Sequence, residues 1–63
     1  MIGTDAKWFA AQLIEQGYAF TFHAATKEFI VQDPVHSDGK IVTFVSFTID
    51  SFDKAQKFLD LRS

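Results

Sequence analysis

The segment Ile41-Val42-Thr43-Phe44-Val45-Ser46-Phe47-Thr48-Ile49 constrains the fold more than any other part of this chain. It reads as a β-strand with apolar side chains on both faces. Alternation sets Ile41, Thr43, Val45, Phe47 and Ile49 on one side of a sheet, and Val42, Phe44, Ser46 and Thr48 on the other. The whole chain has 63 residues, enough to cover one face of a sheet well and not two. If the first set faces the core, Val42 and Phe44 sit on a surface that calls for self-association or a partner.

Length supports the same point. A domain of this size buries only roughly 60% of the surface its unfolded chain exposes, which leaves a thin margin of stability. Small folds make up the difference with disulfides, a metal or association. Cysteine is absent, which excludes disulfides and every cysteine-based zinc site. His23 and His36 cannot form a structural zinc site alone, so association is the remaining device. Eight Phe, with Trp8 and Tyr18, supply large buried areas for a short chain, and most of these rings are expected in the core. The chain begins with Met and is expected to be one complete domain, 1–63.

Six basic residues face eight acidic ones, a net charge of -2, with no basic stripe of the kind that neutralises phosphates. No apolar stretch reaches the length of a spanning helix, and the N-terminus lacks a basic segment followed by an apolar one. The expected location is the cytoplasm, away from membranes.

The first element is expected to be a helix over Ala6 to Gln16, capped by Thr4 or Asp5 and stopped by Gly17. Ala6, Phe9, Ala10 and Leu13 make its inward stripe, and Trp8 is expected over the edge of the sheet. Tyr18 to His23 alternates like a half-buried strand, with Tyr18, Phe20 and Phe22 toward the helices. Ala24 to Lys27 make a tight connection. Glu28 to Asp33 form a second strand, with Phe29 and Val31 inside and Ile30 and Gln32 outside. Pro34 is expected to end it, since proline cannot donate to a ladder. A loop from Val35 to Lys40 then carries the Asp38-Gly39 turn signal. After the third strand, Asp50 or Ser51 caps a final helix whose inward face is Phe52, Ala55 and Leu59, flanked by Phe58. Asp53 and Lys57 are spaced for an i, i+4 ion pair. This order predicts an α+β two-layer sandwich, helix-strand-strand-strand-helix. A three-stranded antiparallel sheet would carry both helices on one face.

Gly17-Tyr18 after the first helix resembles the Gly-aromatic pair of HicA-type toxin ribonucleases, and the element order is that of double-stranded-RNA-binding domains. The toxins' catalytic glycine and histidine are missing from Ala25-Thr26-Lys27-Glu28, so no catalytic residue carries over. Lys40 to Phe47 partly resembles the RNP1 segment of RNA-recognition motifs, without its glycines and with Val42 at a stacking position. That resemblance implies base stacking on Phe44, with Lys40 and Lys27 as phosphate contacts.

His36 with Asp33 or Asp38 is the best acid-base or metal-ligand group, all within one connection, and matches no recognised spacing. Ser37 beside it is not a nucleophile arrangement. The expectation is therefore a protein that is not an enzyme and holds no cofactor or metal. It would associate with itself as a homodimer, through its exposed sheet face or edge to edge through the first or second strand, and then with a larger protein, as an accessory protein of a phage or other mobile element. The expected contact surface is Phe44, Val42, Ile30 and His23. The alternative is an RNA- or single-stranded-DNA-binding module.

Overall fold

Helix, three strands and helix follow one another in a computed structural model that describes residues 1–62: α1 Gly3–Gln16, β1 Ala19–His23, β2 Glu28–Ser37, β3 Lys40–Ile49 and α2 Phe52–Asp60. The chain enters α1 earlier than expected. Ile2 holds the extended position ahead of the helix, and no side chain caps it. Thr4 and Asp5 therefore lie inside the first turn, where the Asp5 carboxylate acts only through the helix dipole. The half-buried Met1 packs on the core and fixes the chain ahead of the helix. The far end is as the sequence predicts. Gly17 takes the left-handed conformation at φ 81°, and its N–H donates to the Ile14 carbonyl at 3.1 Å while Tyr18 donates to Leu13 at 2.9 Å. These two bonds satisfy the last carbonyls of the helix in a Schellman arrangement.

The sheet has the order β1-β2-β3, antiparallel throughout. The second strand is longer than expected. β2 continues through Pro34, which pairs with Phe44, to Ser37, which pairs with Lys40. The reason is the shortness of β1. Its last pair is Ala19 with Gln32, so beyond Gln32 one edge of β2 is open, and a proline there forfeits no ladder bond. The loop expected from Val35 to Lys40 contracts to Asp38-Gly39. Both take positive φ, 54° and 77°, the signature of a two-residue type I′ hairpin.

Alternation in β3 breaks once. Val35 pairs with Thr43 but His36 pairs with Ile41, so Val42 is an extra residue forming a bulge. Paired residues share a face, and the bulge therefore turns Ile41 to the side of His36, away from the helices. The expectation that Ile41 lies with Val45 and Phe47 fails at this point.

Both helices cover one face. The buried core is Phe9 and Leu13 of α1, Phe29 and Val31 of β2, Ile49 of β3, and Ala55, Phe58 and Leu59 of α2. Phe9 is wholly buried and meets Phe29 and Phe58 edge-on, with centroids at 5.1 and 6.2 Å. Ser51 caps α2, its hydroxyl accepting from the Lys54 N–H at 3.3 Å. Two details of α2 differ from expectation. Phe52 is half-exposed, with its ring facing Trp8 at 5.3 Å. Lys54 pairs with Asp50 at 2.8 Å, and no Asp53–Lys57 bridge forms among the described residues.

Strand length and helix length do not match. Ten residues of β2 span about 33 Å, and the fourteen of α1 only about 21 Å. The molecule measures 39 × 23 × 17 Å. The β2–β3 hairpin therefore extends beyond the helical layer as a two-stranded arm.

Candidate interaction surface

The helical layer stops near Asp33, whose carboxylate accepts from Arg62 Nη2 at 2.6 Å and Nε at 3.1 Å. Beyond it the arm carries apolar side chains on both faces. Val35 and Val45 lie on the helix side by register, where no helix reaches them. Phe44 and Ile41 lie on the other side, with Pro34 beside Phe44, and Val42 is the bulged residue between Ile41 and Thr43. Phe44 is 53% exposed and Val42 60%. Among the described residues, five of the ten exposed large apolar side chains are on this arm, which makes it a patch and not a scatter of single side chains.

The four residues expected at the contact surface all lie on the outer face or its bulge, yet they do not form one group. Along β2 the outward positions run Glu28, Ile30, Gln32, Pro34 and His36. Their β3 neighbours are Thr48 beside Ile30, Ser46 beside Gln32, Phe44 beside Pro34 and Ile41 beside His36. Ser46 donates to Gln32 Oε1 at 3.0 Å, and this polar pair separates the half-buried Ile30 from Phe44. His23 is exposed at the far corner, opposite Glu28. Phe44 instead joins Pro34 and Ile41, while Val42 sits exposed at the bulge with no partner in β2. Neither Pro34 nor Ile41 is marked by the sequence, since proline signals a strand end and plain alternation sets Ile41 with the core. Nothing at positions 41–43 marks the bulge in the sequence.

The cations assigned to nucleic acid do not converge either. Lys40 begins β3 at the tip of the arm, and Lys27 sits in the connection before β2 at the opposite end of that strand. Ten intervening residues of β2 put about 30 Å between them. The acid-base candidates also separate. His36 is on the outer face, Asp33 is on the helix face and bound by Arg62, and Asp38 is in the turn. Among the described residues no group of three or more His, Cys, Asp or Glu comes together, and no helix is long and apolar enough to cross a membrane.

A second feature was invisible in the sequence. A depression of about 220 Å³ lies between β3 and α2, lined by Phe47, Ile49, Phe58 and Leu61 and rimmed by Lys54, Lys57 and Arg62. Arg62 closes one end, with its guanidinium 3.8 Å from the Phe58 ring centroid and 5.1 Å from that of Phe47.

No family model, curated protein or solved structure matches this chain.

Proposed function

We propose that this protein is a non-enzymatic interaction module that associates with itself through the outer face of its sheet, at the β2–β3 arm. The observation that carries this is the arm itself. A two-stranded hairpin is marginal in water, and this one exposes Phe44, Val42, Ile41, Val35 and Val45 where its own helices cannot cover them. Burying Phe44 and its neighbours against a symmetry mate removes apolar area from water and adds stability that a core of eight buried residues lacks. The interface would be isologous, with one patch meeting its own copy across a two-fold axis. We further set the protein in the cytoplasm, as an accessory protein of a phage or other mobile element, on the strength of its size, its acidity and its want of a catalytic motif.

Light scattering on a sizing column tests this with the native chain and Phe44→Glu, at low and high salt. The expected result is a salt-resistant native dimer and a folded monomeric variant, because burying a carboxylate without a partner is costly. A native monomer unchanged by the substitution overturns the proposal. Binding of single-stranded RNA that weakens steeply with salt would favour the nucleic-acid alternative.

A further inference from the structure

We infer that the free edge of β3 and the groove beside it form a β-addition site for an extended, acidic segment of another protein, which inserts an apolar side chain between β3 and α2. Four observations converge on this.

β3 is an outer strand, and no backbone hydrogen bond from elsewhere in the described chain reaches its open side. Natural edge strands are defended by charges, prolines or covering loops. Between Ile41 and Ile49 there is neither a charge nor a proline, and the bulge at Val42 leaves the stretch from Thr43 to Ile49 regular. That stretch is a template for another strand.

The groove lies on this same edge. Its lining draws on β3, α2 and the residues just after α2, and on none of β2. At about 220 Å³ it is below the roughly 300 Å³ at which small-molecule sites begin, and it suits one or two side chains. In an added strand alternate side chains point to one face, so every second residue of the partner would meet Phe47, Ile49, Phe58 and Leu61.

The rim supplies the charge preference. Lys54, Lys57 and Arg62 are half of the chain's six Lys and Arg, gathered at one groove of an otherwise acidic protein. Lys54 and Arg62 already hold Asp50 and Asp33. Lys57 is exposed and has no acidic partner within 4 Å among the described residues. It is available to a carboxylate of the incoming segment.

The same cations argue against a second copy here. Antiparallel pairing of β3 with its symmetry mate keeps both helical layers on one face of the joined sheet. The Lys57 side chains of both copies, each without an acidic partner within 4 Å among the described residues, would then line a single seam, which like-charge repulsion disfavours.

The test is fluorescence anisotropy with a short labelled peptide in which valine alternates with glutamate and the central glutamate is replaced by phenylalanine, so that glutamate and phenylalanine share the face turned to the groove. Its controls carry lysine in place of glutamate, or N-methyl groups on one or the other set of alternate residues. Expected are binding of the acidic peptide and about tenfold or greater weakening with the lysine version. One N-methylation phase should abolish binding and the other leave it. Lys57→Glu should reverse the preference between the acidic and lysine peptides, and NMR shifts should fall on the amides of Val45 to Ile49. Ile41→Glu, in the outer patch but outside the Thr43–Ile49 template, should bind the acidic peptide as the native chain does, so loss of self-association and loss of peptide binding are read separately. Equal binding of acidic and basic peptides, indifference to both methylation phases, or no binding by either peptide overturns the inference. Concentration-dependent protection of the β3 edge amides in the protein alone would assign the edge to a second copy, and overturns it too.

Discussion

Arg62 shows how much one side chain can hold in a chain this short. Its guanidinium donates to Asp33 of β2 and to the Phe58 carbonyl of α2, and stacks on the Phe58 and Phe47 rings. Charge-assisted bonds and ring contacts at a partly buried site predict a loss of about 1–3 kcal/mol for Arg62→Ala in urea unfolding. Arg62→Lys should recover only part of it, because an ammonium can neither fork onto a carboxylate nor stack as a plane. Asp50 offers a test by pH. The hydrogen bond from Lys54, aided by its charge, holds the Asp50 carboxyl below its ordinary value. A depressed native value means that the pair's contribution is present above the unfolded-state value. It is lost as pH falls through the native one. The stability difference between the native chain and Asp50→Asn should therefore be constant near neutrality and vanish in acid. Urea midpoints measured across that range check this, and a difference that persists in strong acid would discount the pair.

Turn chemistry decides the shape of the β2–β3 hairpin. Asp38 and Gly39 both require positive φ, and a Cβ at Gly39 would meet no atom within 4 Å, so a substitution there costs backbone strain alone. Gly39→Ala should lower stability by about 1–2 kcal/mol without altering the fold, read as a shifted urea midpoint with an unchanged slope. This turn was legible because Asp-Gly is a local signal. The extent of β2 was not. Pro34 is a strand breaker in a strand paired on both sides, and whether both sides are paired depends on where β1 stops, in a different part of the sequence. The bulge at Val42 is equally non-local, since it exists only in the register of β3 against β2.

At the scale of the whole molecule a single cluster of eight buried residues carries the fold. Phe9 is at its centre, in contact with β2 and α2. Phe9→Ala should cost about 3–5 kcal/mol, comparable to the whole stability of so small a domain. The expected outcome is a largely unfolded chain by circular dichroism in the absence of denaturant. A cooperative transition near that of the native chain would move the core elsewhere. Cores this small leave long strands uncovered, and the β2–β3 arm follows from that mismatch.

The sequence by itself determined the order of elements, the inward stripe of α1, the Gly17 stop, a cap at Asp50 or Ser51 and the two-faced apolar character of β3. Each of these is set by residues within a few positions of one another, through periodicity, capping or left-handed backbone. Tertiary structure alone decided that β2 passes through Pro34, that Ile41 turns outward, and that Ile30 is cut off from Phe44 by a polar pair. It alone brought Lys54, Lys57 and Arg62 to one apolar groove on an open edge. Those features arise where strand register and layer packing juxtapose distant segments, and no local pattern encodes which residues will meet there.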